Sequence, residues 1–368
     1  MSQEAGNMSP PYADDSPQLG GSPSTSVDVP LSAVFIALFL VSAGSNLFLF
    51  RRNMGRGYKF LLSFVLVVFS MSRVFANAMR IVLSAFPDNN GIALAAGIFN
   101  NAGPLFLFLV NLLFAQRILR AHQPRLGWSM PVRMAFRFLY VMLSACLPLA
   151  ILSVVWTAHT LDHGIRDRMR DIQLFVQTFL SILSFLPLPL VAAALLLPRE
   201  APVEEFGEGS MTTKIILVVG ASTLLSFGAS YRAAVFYMSP PGSGLRWIHS
   251  RASYYCFFFV LELLVVYAFT FSRVDLRFHV PNGSSQRKSY LVEVEEEEES
   301  EEKKLGGSAR SESPEVVGLE VKIDESVLKI DGSELRADTS PSLSTTATSD
   351  SASSKPAPKL NPWFGAIA

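Results

Sequence analysis

The sequence predicts an all-α, seven-helix transmembrane bundle with its N-terminus outside and its C-terminus in the cytoplasm, and three observations lead there. Apolar segments recur at 30–50, 60–86, 92–115, 134–156, 172–198, 214–238 and 253–273, and a hydrocarbon core about 30 Å thick takes roughly 20 helical residues to cross. Half of the 368 residues are hydrophobic and only 17% are charged, a balance that suits lipid rather than water as the surrounding solvent. Lys and Arg also crowd one side of the segments. Fourteen fall after segments one, three, five and seven, against five in the opposite loops, which sets the orientation by the positive-inside rule.

Residues 1–29 carry Pro, Gly, Ser and four acids but no Lys or Arg, and read as a disordered extracytoplasmic tail without a signal peptide. Asn7-Met8-Ser9 in this tail is a glycosylation sequon on the lumenal side, whereas the sequon at Asn282 lies on the wrong side for modification. Segment one is followed by Arg51, Arg52, Arg56 and Lys59. Segment two places Arg73, Asn77 and Arg80 at i, i+4 and i+7, one polar helical face. Segment three sets Asn100 and Asn111 on a shared face, with Gly103-Pro104 between them; a proline there frees a backbone carbonyl that a neighbour must satisfy. Segment four has no charged residue beyond its first turn, and Arg166, Arg168 and Arg170 follow it.

Segment five carries Gln173 and Gln177 at its outer end and Pro187 and Pro189 as kinks. Segment six repeats Ser222, Ser226 and Ser230 at four-residue spacing, a helix-packing pattern, and then presents Tyr231-Arg232. Segment seven contains Glu262. After Arg273 the chain turns polar, and residues 274–368 read as a disordered cytoplasmic tail: basic at first, then eight Glu between 293 and 302, then Ser and Thr. Ser313-Pro314 and Ser340-Pro341 have the form of kinase sites.

Glu262 is the only acidic residue within the seven segments as bounded above. A charge at bilayer depth is costly and marks a candidate site. At 1.5 Å per residue it lies roughly 14 Å below the outer boundary, with Arg80 and Arg232 at roughly 9 Å and Arg73 at roughly 20 Å. Glu262 is thus bracketed by cations that can pair with it. Two readings follow. The cluster is a buried ion pair that fixes helix register, or Arg73, Asn77, Arg80, Asn100, Arg232 and Glu262 converge as the polar floor of an outward-facing cavity.

All five histidines lie in loops or the tail, so no intramembrane histidine cluster can hold zinc. Segment seven has no lysine for a retinal Schiff base, and no phosphate-cradling loop, nucleophile triad or nucleic-acid motif occurs. No catalytic residue, metal, cofactor or nucleic acid is therefore expected, and the chain is not expected to be an enzyme. Cys146 and Cys256 both sit inside apolar segments, where they cannot bridge external loops.

Two stretches carry a resemblance: Asn100-Asn101-Ala102-Gly103 onward through Phe114-Ala115-Gln116-Arg117-Ile118-Leu119-Arg120-Ala121-His122, and Arg273-Val274-Asp275 with Arg277-Phe278-His279-Val280-Pro281-Asn282-Gly283-Ser284. Over residues 30–284 the chain resembles an uncharacterised family of filamentous-fungal seven-span membrane proteins. That resemblance implies fungal origin and architecture. The chain is also similar to the fungal lipid-translocating exporter family, whose sixth span has an acid three positions after its Tyr-Arg; Val235 stands there in this sequence. Fungal Pth-type receptors share the span count but carry a cysteine-rich external module that this chain lacks.

The functional expectation is a multipass protein, in the plasma membrane or an internal one, that binds or moves a lipid-like or small amphipathic ligand. A receptor-like sensor signalling through cytoplasmic loops and a phosphorylated tail, and a structural membrane scaffold, are the alternatives.

Overall fold

A computed structural model describes residues 10–12, 19–21, 23–55, 60–198, 203–239 and 247–280. The sequon at Asn7, the kinase motifs and the polar tail beyond residue 280 lie outside the described residues.

The described residues are mostly helical and contain no strand, and they form seven crossings long and apolar enough to span a membrane. The first four are single helices: α1 (Thr25–Gly55), α2 (Leu61–Ala85), α3 (Asn90–His122) and, after the short α4 (Pro124–Gly127), α5 (Met130–His159). The fifth crossing is broken. α6 (His163–Phe185) ends at Leu186, and α7 (Pro187–Leu196) begins with Pro187 in its first turn, because a proline supplies no N–H to the preceding turn. α8 (Met211–Met238) is the sixth crossing. The seventh joins α9 (Arg251–Tyr255), a π-helical turn at Cys256–Val260, and α10 (Leu261–Phe271); α11 (Val274–Arg277) follows.

Side chains start these helices where the sequence leaves N–H groups unpaired. Asn89 accepts from Ile92 N at 3.1 Å, Asp162 from Gly164 N at 2.8 Å, Ser210 from Thr213 N at 3.4 Å and Ser250 from Ser253 N at 3.3 Å. Most crossings run several residues past the apolar segments at one or both ends. The largest consequence is at α1, which starts at Thr25 and so draws Asp28 into its first turn.

α3 is the axis of the bundle. Leu107, Val110, Leu112, Phe114, Ala115, Ile118 and Ala121 are all fully buried, so its C-terminal half is covered over most of its circumference, with only the face of Leu109, Leu113 and Arg117 half-buried. The outer helices turn Phe138, Val141, Leu152, Ile182, Ile216 and Phe227 outward. Such a surface is ruinous in water and neutral in lipid.

At the C-terminal end the chain exit is fastened to the bundle. Phe278 stacks on Phe114 with centroids 4.1 Å apart, Arg117 donates to the Phe278 carbonyl, and Glu208 N donates to Leu276 O at 3.0 Å. Gly207 has φ +56°, and a Cβ there would strike the backbone of Arg277. Arg273 adopts the left-handed conformation, φ 50°, and its guanidinium grips Asp275 at 2.9 and 3.0 Å while Asn53 of α1 donates to the same carboxylate at 2.8 Å.

Candidate functional site

The polar residues of the interior gather into two buried carboxylate centres and one cavity. The deeper centre is Glu262, 2% exposed, in the first turn of α10. Arg73 of α2 grips it bidentately, Nε to Oε2 at 2.5 Å and a terminal nitrogen to Oε1 at 2.8 Å. Arg232 of α8 donates to Oε1 as well. Both carboxylate oxygens are therefore occupied, and Glu262 is not a free base.

Local sequence explains how Arg73 is seated. Pro104 has no N–H, so the carbonyl of Asn100 one turn earlier loses its helical partner. Arg73 donates to that carbonyl at 2.9 Å. Gly103 makes room, since a Cβ there would stand 2.7 Å from the Arg73 guanidinium. The π-helical turn encloses the charges. Its Phe259 lies 5.6 Å from Arg73 and its Phe258 4.5 Å from Arg232, and Phe69 covers Arg73 from α2 at 5.9 Å.

The second centre is Asp28, fully buried in the first turn of α1. Tyr255 donates to it at 2.8 Å and Ser24 N at 2.7 Å. Arg80 approaches at 3.5 Å and the more exposed Arg251 at 3.8 Å. Arg80 spends its stronger bonds on the carbonyls of Leu19 and Gly20, at 3.2 and 3.1 Å, and lies over the ring of Tyr254.

The cavity opens between α3, α5, α6 and α8 at the end of the bundle where α1 begins, with a volume of ≈ 370 Å³. Its apolar wall includes Leu83, Ala93, Leu94, Val154 and Val235; its polar groups include Arg80, Asn100, Asn101, Arg166, Arg170 and Gln173. Gly97 lines it, and a Cβ at Gly97 would meet nothing within 4 Å. Arg170 donates to the carbonyls of Phe236 and Ser239, both at 3.1 Å, at the C-terminus of α8, where the helix dipole favours a cation.

The six residues singled out from the sequence are thus divided. Arg73, Arg232 and Glu262 meet in one closed triad. Asn77 belongs to its wall and hydrogen-bonds the Arg73 carbonyl at 2.9 Å. Arg80 belongs to the Asp28 centre and faces the cavity; Asn100 touches both, lending its carbonyl to Arg73 while lining the cavity. Among the described residues, Asn77 Oδ1, Asn100 Oδ1, Arg80 Nε and Arg232 Nε are buried without a hydrogen-bond partner.

The other polar candidates act as links between helices. Asn111 donates to Ser222 at 2.7 Å, Ser230 meets Ser181 at 3.2 Å, and Gln177 donates to Asn101 at 3.3 Å. Sequence reasoning missed Asp28, Tyr254, Tyr255 and the cavity role of Arg166 and Arg170. Ser24-Thr25 followed by Asp28 is a helix-start signal that could have moved the first boundary outward. No group of three or more His, Cys, Asp or Glu able to hold a metal occurs among the described residues.

No curated protein and no solved structure matches the chain significantly. A family model described as "Protein of unknown function (DUF3112)" matches residues 203–279, from the loop before α8 through α11. The matched stretch contains Arg232, Glu262, Tyr254, Tyr255 and Asp275. The partners that complete the centres, Arg73 and Asp28, come from helices outside it.

Proposed function

We propose that this multipass membrane protein binds a lipid-like or small amphipathic ligand in the cavity between α3, α5, α6 and α8. The observation that carries the reading is a pocket, in the size range of small-molecule sites, with an apolar wall facing convergent amides and guanidinium groups. The concentration of Lys and Arg at the opposite end of the bundle supports a cavity that opens outward. The Glu262 triad stands beside this cavity as its structural anchor: it is closed, and it holds α2, α8 and α10 in register.

Gly97→Leu tests the reading, because the added side chain fills open space and leucine favours the helix over glycine. Purified full-length protein in lipid nanodiscs should bind members of a panel of short-chain amphiphiles saturably, and Gly97→Leu should abolish that binding while thermal stability is kept. Equal binding by the variant would refute the cavity as the ligand site.

A further inference from the structure

We infer that the cavity selects amphiphiles with a negatively charged head, a carboxylate or a phosphate, an inference that rests on the ligand-binding reading above and names its substrate class. Three guanidinium groups line the cavity, from Arg80, Arg166 and Arg170, against a single carboxylate, the exposed Asp167. Neither Arg166 nor Arg170 makes an ion pair among the described residues. They are held by backbone carbonyls alone, Arg166 by Thr160 O at 3.0 Å and Arg170 by the end of α8. Carbonyls orient a guanidinium without cancelling its charge, and each guanidinium carries five N–H donors, so both retain unused ones.

Arg80 adds a third cation under the same roof. It is 5% exposed, and among the described residues its Nε has no partner and its nearest carboxylate oxygen is at 3.5 Å. Cations partly withdrawn from water and either unpaired, as Arg166 and Arg170 are among the described residues, or only loosely paired, as Arg80 is, are costly, and an anion in the cavity would lower that cost. The planar fork of arginine matches the oxygens of carboxylate and phosphate, and the apolar wall of Leu83, Leu94, Val154 and Val235 leaves the other side for a chain. A cationic head of equal size would meet three guanidinium groups there against one exposed carboxylate.

The test uses full-length protein in nanodiscs of zwitterionic phosphatidylcholine, with equilibrium binding of decanoate, decyl phosphate, decyltrimethylammonium and inorganic phosphate. Decanoate and decyl phosphate should both bind saturably, at least roughly tenfold more tightly than the cation of the same chain length and than inorganic phosphate. Arg166→Gln should weaken both anionic amphiphiles by roughly tenfold, and Arg166→Lys should restore most of the loss. Thermal unfolding of each variant separates lost binding from lost folding, and Arg80→Gln provides an independent second variant. Decyltrimethylammonium binding as tightly as decanoate, inorganic phosphate matching decyl phosphate, or unchanged anion binding in both glutamine variants would overturn the inference. Charge-blind binding that Gly97→Leu still abolishes would do so while leaving the ligand cavity intact, whereas absence of saturable binding by any probe would remove both.

Discussion

Glu262 and Asp28 are built from the same parts, a buried carboxylate approached by two arginines, and they differ in how tightly those parts close. At Glu262 one arginine is bidentate at 2.5 and 2.8 Å, the second shares an oxygen, and phenylalanine rings shut the group in. At Asp28 the arginines stand off at 3.5 and 3.8 Å, a tyrosine and a backbone N–H make the short bonds, and one of the arginines borders the cavity. A carboxylate gripped closely by both of its arginines fastens helices. One whose arginines stand farther off leaves a guanidinium able to face a cavity as well. Depth in the membrane is thus a poor guide to which centre borders the cavity.

The sharpest way to break this comparison is Glu262→Gln. It leaves Arg73 and Arg232 buried without a counter-charge and should cost about 3–5 kcal/mol, the range for removing one member of a buried ion pair, read as a lower midpoint of thermal or denaturant unfolding in detergent. A variant as stable as wild type would mean the triad is not the fastening described. Asp28→Asn should cost less, about 1–3 kcal/mol, because Arg80 keeps its carbonyl partners and Arg251 is more than a third exposed. If the order of the two costs were reversed, the distinction between a tight and a loose centre would fail.

The smallest effect belongs to Asp275, a third buried carboxylate, at the chain exit. Burial pushes its pKa up, but the hydrogen bonds from Arg273 and Asn53 and the charge of Arg273 outweigh this and hold it below its ordinary value. The folded pKa lies below the unfolded one, so the carboxylate stabilises the fold fully above the ordinary carboxylate range, and that contribution is lost as pH falls through the folded value. Asp275→Asn should therefore unfold more easily at neutral pH, by about 1 kcal/mol. The gap from wild type should close on acidification. A gap that stays constant from neutral pH to below the carboxylate range would exclude an ionic role for Asp275.

Much of the fold was legible in the sequence because lipid imposes a strong constraint on length and composition. Each of the seven apolar segments coincides with a crossing, Pro187 marks the break in the fifth, and Pro104 announced a carbonyl in need of a donor. The candidate site was legible only in part. Spacing along one helix shows that Arg73, Asn77 and Arg80 share a stripe, but it cannot show that seven residues of rise carry Arg80 to Asp28 while Arg73 reaches Glu262.

Asp28 was hidden for a related reason. It precedes Pro30 in an acidic stretch that reads as tail, and only the packing of Tyr255 and Arg80 against it makes the extra helical turn worth forming. The sequence by itself determined that the chain is a seven-crossing bundle and that Glu262 must find a cation, since hydrocarbon tolerates neither an open backbone nor an isolated charge. The tertiary structure alone decided which arginines close on which carboxylate, and that α3, α5, α6 and α8 part into a cavity. Those outcomes depend on contacts between residues far apart in the chain, whose geometry is set by how whole helices pack.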